Sequence, residues 1–217
     1  MTSPRPGGGL QVPCLPNEAR EPIRNQGFIS GWNGQGCCIS GVDDVAHTKA
    51  MIAAVAEATC MDQSKLFATG FSNGGFMSYK LYCEIADQFA GIAPMAGLLS
   101  GSCSPNAAQT VVHFHGTADT TIRYNGQGYG RGAIESVEFT ANEMGCDLTP
   151  RRVLSGTGTG NSGREYYCDR YTGCEGGNTV ELCTIEGMEH TIPRGGQNGI
   201  DAGEYMFSVF DQQLRAR

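Results

Sequence analysis

The stretch KLFATGFSNGGFMSYKLYCEIADQF, residues 65–89, decides the reading of this chain. Its first five residues form a short apolar run of strand length. The run stops at GFSNGG, and beyond it Met77, Leu81 and Ile85 recur every four residues, one face of a helix. Gly70-Phe71-Ser72-Asn73-Gly74 therefore fits GxSxG with a strand before it and a helix after it. This is the context of a nucleophile elbow, in which a sharp turn holds a serine Oγ up at the carboxyl end of a sheet. Glycine is expected on both sides of the serine, because flanking side chains would collide. The amide of Asn73, at the start of the helix, would point to where an oxyanion forms.

On either side of this unit the same alternation continues. Asp43 or Asp44 is placed to cap a helix carrying Val45, Ile52 and Val55 and ending near Cys60. AGIAPMAG (90–97), TVVHFHG (110–116) and VELCTI (180–185) read as strands, and REYYCD (164–169) as an edge strand. GAIESVEFTANEMG (132–145) presents Ile134, Val137 and Met144 on a helical face, with Gly145 as its stop. EYMFSVFDQQL (204–214) aligns Met206, Phe210 and Leu214 in a closing helix. Strands alternating with helices imply parallel pairing, because a parallel crossover needs a long connection. The class is α/β, an α/β-hydrolase-like, mostly parallel sheet with flanking helices. Residues 1–30 are rich in Pro and Gly without apolar periodicity and read as an irregular segment, leaving 31–217 as one domain.

Composition excludes several functions. The chain has 217 residues, 40% of them hydrophobic, and no apolar run near the roughly 18 residues of a membrane-spanning helix. A net charge of −7 with no basic stripe argues against nucleic acid as a partner. The 32 glycines show no three-residue period, which excludes collagen. Ten cysteines (14, 37, 38, 60, 83, 103, 146, 168, 174 and 183) include no CxxC pair, so a zinc ribbon has little support. Several disulfides in an oxidising, extracellular compartment fit better. Adjacent Cys37 and Cys38 are expected to seek separate, distant partners. The start, MTSPRPGGGLQVPCLP, has no apolar signal-peptide core, so either export uses no such signal or the true start lies upstream.

A serine hydroxyl needs a base, usually a histidine oriented by a carboxylate, and on this fold the chain order is Ser, acid, His. His190, in the loop GMEHTIP after the last strand, can swing over the sheet's carboxyl edge. His113 and His115 precede most of the remaining acids. Of the aspartates between Ser72 and His190, Asp87 belongs to the helix after the elbow, and Asp147 and Asp169 sit in polar stretches. Asp119 follows a strand end and is the favoured orienting acid. His113 and His115 share a strand face, as two ligands of a metal would, but no third ligand is evident nearby; packing or hydrogen bonding explains them better. GTGTGNSGRE (156–165) lacks the ending of a phosphate loop. No metal or organic cofactor is expected.

WNGQGCC (32–38), GVDDVAHTKAMI (41–52), FATGFSNGGFMSYKLYCEIADQFAGIAPMAG (67–97), HFHGTADTTIRYNG (113–126) and EGMEHTIPRGG (186–196) resemble successive blocks of the extracellular polyhydroxybutyrate depolymerase and feruloyl esterase family. The resemblance implies a secreted α/β-hydrolase serine esterase with Ser72 as nucleophile, Asp119 as acid, His190 as base and some disulfide-bonded cysteines. It implies an ester substrate, plant cell-wall polysaccharide or polyester. Two features depart from the family pattern. No strand and apolar-LHG segment precedes the elbow, although Gly7-Gly8-Gly9 echoes its glycines, and without the early strands residues 66–70 become an open sheet edge. Thr191-Ile192-Pro193 stands where Thr-Trp-Pro is common, which changes a pocket wall. A truncated gene product and a genuine short form both account for the first departure. The reading against the esterase is a non-catalytic remnant or binding protein of the same fold.

Overall fold

The computed structural model describes residues 31–216, apart from 127 and 162. The irregular segment 1–30, with Cys14 and Gly7-Gly8-Gly9, lies outside the described residues. Helix α1 (Asp44–Ala58) starts at Asp43, whose carboxylate accepts the Ala46 amide as a cap. Strand β1 (Phe67–Phe71) leads through Ser72 into α2 (Asn73–Ile85). There follow β2 (Gly91–Met95), β3 (Thr110–Gly116), α3 (Ala133–Glu143), β4 (Arg151–Thr157), β5 (Glu165–Tyr171), β6 (Val180–Ile185) and α4 (Ala202–Ala216).

These strands form one sheet in the order β1-β2-β3-β6-β5-β4. The pairs β1–β2, β2–β3 and β3–β6 are parallel, and β6–β5 and β5–β4 are antiparallel. β2, β3 and β6 are buried along their whole length, as expected of central parallel strands covered on both faces. Parallel alignment brings the carboxyl ends of β1, β3 and β6 to one rim. From that rim spring the turn at Ser72, the turn holding Asp119 and the loop holding His190.

Core packing explains which apolar positions of each helix turn inward. On α2, Met77, Leu81 and Ile85 pack with Val45 of α1, while Phe76, Tyr79 and Tyr82 enter the main core on the other side. On α4, Met206, Val209 and Phe210 close the opposite face, with Phe210 stacked on Phe67 at 4.1 Å between ring centroids.

Several expectations are corrected. REYYCD is not an edge: β5 lies between β6 and β4, and β4 (RRVLSGT) takes the edge. β4 is mostly exposed, so it has little apolar pattern to read, and it pairs antiparallel with β5, the next strand in the chain. Ile134 on α3 and Val55 on α1 are exposed, whereas Val137 and Met144 are buried as expected. Cys37 and Cys38 bond each other. Residues 33–38 form a tight turn, closed by the Asn33–Cys38 bridge, with positive φ at Gln35, Gly36 and Cys38. Cys83–Cys103, Cys146–Cys174 and Cys168–Cys183 are further disulfides, Cys60 is also disulfide-bonded, and none of the described cysteines is free.

Candidate active site

Ser72 has φ 55° and ψ −117°, a left-handed conformation that a non-glycine residue adopts only when its surroundings enforce it. The enforcement is visible. The Ser72 amide donates to Met95 O at 2.8 Å, and the Ser72 carbonyl accepts from Gly75 and Phe76 at 2.9 and 3.2 Å. A Cβ on Gly70 would stand 2.4 Å from the carbonyl carbon and oxygen of Gly74. By contrast, a Cβ on Gly74 would meet nothing within 4 Å, so the requirement for glycine falls on position 70 alone of the two. Gly75 carries a second one. Its missing Cβ lets α2 approach β2, where an added atom would be 2.8 Å from Met95 O.

Asp119 sits in the turn after β3, its side chain fully buried. Its Oδ1 accepts the amides of Thr121 and Ile122 at 2.9 and 2.8 Å. Oδ2 is left for His190 Nδ1 at 2.7 Å. A carboxylate can only accept, so Nδ1 carries the proton and Nε2 offers its lone pair. Ser72 Oγ lies 2.9 Å from that Nε2. The three side chains proposed from sequence are thus joined in one hydrogen-bonded series across 118 and 71 positions of the chain. The ring of Phe71 packs on His190 at 4.6 Å.

The His190 loop is anchored to the Asp119 turn by main chain and side chain together. Ala118 N donates to Met188 O, Thr117 Oγ1 donates to Glu186 Oε2, and Gly187 N donates to Thr117 Oγ1. Gly116 makes this approach possible, a role its position in HFHG did not disclose. The other aspartates stand apart: Asp169 pairs with Arg152 on the β4–β5 ribbon, and Asp147 accepts the Thr149 amide in its own turn.

Asn73 occupies the first position of α2, where an amide has no intrahelical acceptor and is free to face an anion. Its side chain does something sequence reasoning missed. Asn73 Oδ1 accepts the Trp32 amide, and Nδ2 donates to Trp32 O at 2.8 Å, clamping residues 31–38 beside the elbow. A groove of 1190 Å³ runs along the exposed side of β1 between Trp32, His47, Phe71 and Asn73. A second cavity of 380 Å³ lies between Phe71, Met95, Ile192 and Pro193.

His113 and His115 do not join Ser72. They are fully buried, and burial holds the pKa of each below the ordinary histidine value, so both rings are neutral. Among the described residues no group of three or more His, Cys, Asp or Glu side chains is placed to hold a metal ion.

Comparison with known proteins gives this geometry a context. No protein-family model matches the chain. Feruloyl esterase B of Piromyces equi is 33% identical over 174 residues, 73% of this chain and 31% of that protein. Feruloyl esterase D of Neurospora crassa is 30% identical over 193 residues, 86% of this chain and 60% of that protein. The chain is similar to the feruloyl esterases. It spans about a third to three-fifths of the length of these feruloyl esterase relatives. The solved structure of esterase PE8 matches 76% of this chain and 61% of its own, with a TM-score of 0.48 and 16% identity.

Proposed function

We propose that this chain is a serine carboxylic-ester hydrolase acting on feruloyl or related esters carried by polysaccharide. The observation that carries the reading is the hydrogen-bonded series Ser72–His190–Asp119 at the carboxyl rim of the sheet. In this reading His190 Nε2 takes the proton of Ser72 Oγ as the oxygen attacks the ester carbonyl. The oxyanion is received by the Asn73 amide, and Asp119 holds the imidazole in its Nδ1-protonated form and stabilises the imidazolium. His190 then returns the proton to the departing alcohol, leaving an acyl-Ser72 ester. Water, deprotonated by the same imidazole, releases the acid and restores the serine. The chemistry is complete without a metal or organic cofactor.

Feruloyl rather than polyhydroxybutyrate esters are favoured by the relatives, whose names specify the former. An extracellular location is supported by the disulfides, which persist in oxidising compartments. Residues 31–217 act in this reading as one esterase domain.

The test is hydrolysis of p-nitrophenyl acetate and methyl ferulate by the parent and by Ser72→Ala, with fluorophosphonate labelling in parallel. The variant is expected to lose at least about 10⁴-fold in kcat and all labelling. Equal hydrolysis by the two proteins would overturn the mechanism. A parent that neither labels nor hydrolyses would favour the non-catalytic alternative.

A further inference from the structure

Behind Asp119 lies a line of polar rings that the mechanism does not use. Tyr79 Oη is 2.7 Å from His113 Nδ1, His113 Nε2 is 3.1 Å from His115 Nδ1, and His115 Nε2 is 2.7 Å from Ile122 O. All three side chains are buried, Tyr79 within the main core cluster. We propose that Tyr79, His113 and His115 are positioning residues, a one-way hydrogen-bond chain that grips the Ile122 carbonyl and so holds the turn presenting Asp119 to His190. The proposal rests on the triad reading above.

The direction of the chain follows from its ends. A carbonyl oxygen only accepts, so His115 must carry its proton on Nε2 and accept at Nδ1. His113 must then donate from Nε2 and accept at Nδ1. Only the Tyr79 hydroxyl remains to donate there, and burial keeps that phenol protonated by raising its pKa well above the ordinary value. Every ring nitrogen is satisfied by this assignment and by no other neutral one. In a core of low dielectric, such a fully satisfied series specifies a single arrangement, whereas one broken link leaves an unpartnered polar group.

The grip matters because Ile122 is bonded on both sides. Its carbonyl is held by His115, while its amide donates to Asp119 Oδ1 at 2.8 Å. Moving that residue releases one of the two amides that turn Oδ2 toward His190. His115 Nε2 itself stands 3.6 Å from Asp119 Oδ2, beyond hydrogen-bond reach, so its action passes through Ile122. The other groups around His115 are His113 on its own strand, Tyr124 edge-on at 5.7 Å and His190 from the loop after β6. A packing role alone would need no donor at Nε2 and would be met by an apolar side chain.

The experiment compares the parent, Ser72→Ala, His115→Leu, His115→Gln and Tyr79→Phe in p-nitrophenyl acetate hydrolysis, with thermal melts to establish folding. His115→Leu fills the space without a donor and is expected to lower kcat about 100-fold with KM within about twofold, as a displaced catalytic group would. In His115→Gln an amide N–H reaches toward the same carbonyl, and at least about tenfold of the loss should return. Tyr79→Phe removes one oxygen at the far end and should lower kcat about fivefold, the worth of one hydrogen bond. A folded His115→Leu protein with the parent's kcat, or a Gln variant no better than Leu, overturns the proposal while Ser72-dependent hydrolysis stands. If His115→Leu does not fold, a folded Tyr79→Phe protein with unchanged kcat does the same. Parental hydrolysis by Ser72→Ala would overturn the triad reading and this one with it.

Discussion

A Cβ on Gly116 would stand 2.1 Å from the carbonyl oxygen of Met188. The end of β3 and the loop carrying His190 touch backbone to backbone, and that contact sets the separation of His190 from Asp119. Gly116→Ala should push the loop outward, lowering kcat about 100-fold and destabilising the fold by about 1–3 kcal/mol. Ester hydrolysis and urea unfolding of the same preparation check the pair of effects. A variant that loses stability but keeps kcat would show that the loop has slack.

The two glycines of GxSxG should respond oppositely. Gly70→Ala puts a methyl group 2.4 Å from Gly74 O and is expected to abolish activity or folding. Gly74→Ala meets nothing within 4 Å and lies in the first turn of α2. It should be tolerated, with a gain of up to about 1 kcal/mol from helix propensity. Thermal melts and steady-state kinetics on the two single variants give the answer.

Asn73→Ala keeps the main-chain amide but removes the clamp on Trp32. Trp32 is the single tryptophan of the chain, so its emission reports on residues 31–38 directly. The expected result is a red shift of that emission, a stability loss of about 1–3 kcal/mol and a fall in kcat far smaller than that of Ser72→Ala. An emission spectrum identical to the parent's would mean that the disulfide turn, not Asn73, holds the segment.

Burial depresses the pKa of His113 and His115 below the unfolded value near 6.5. The unfolded chain therefore binds more protons than the folded one as pH falls below that value. The stability from keeping these rings neutral is fully present above about pH 6.5 and declines as pH drops toward their folded pKa values. Urea unfolding at intervals from pH 7.5 to 5 should show a slope of up to about 1.4 kcal/mol per pH unit for each ring. A His113→Gln protein should show a shallower slope, and an identical one would contradict the assignment.

Cys168 and Cys183 join paired positions of β5 and β6, and Cys146–Cys174 ties the end of α3 to the segment after β5. Each closes a loop of 15 or 28 residues, so each constrains the unfolded chain by about 3 kcal/mol or somewhat more. Reduction under native conditions should lower the melting temperature by several degrees or more. An unchanged melt after complete reduction, verified by thiol titration, would remove disulfides from the account of stability.

Much of this molecule was legible because its signals are local. The runs 110–116 and 180–185 are short segments rich in β-branched and aromatic residues, and their strands begin and end at those residues. The spacing of Met77, Leu81 and Ile85 marked a helix face that does pack inward. β4 escaped notice because its exposed, arginine-bearing sequence becomes a strand only through its ladder with β5. Ile134 looked like core, yet it lies on the solvent side of α3, since periodicity gives the spacing of a stripe and not its width. The Cys37–Cys38 bond was missed because it depends on positive φ values within the 33–38 turn, which nothing in the residue types announces.

Within the candidate site the division is similar. Residue order and type were enough to single out Ser72, Asp119 and His190, because a tight strand-to-helix turn restricts residue choice over a few neighbouring positions. Folding decided which oxygen of Asp119 is free, how closely Met188 approaches Gly116, and which way the Tyr79–His113–His115 protons point. Those are choices of hydrogen-bond partner and contact distance between groups far apart in the chain. They are made through space by close packing, and no local pattern of side chains carries them.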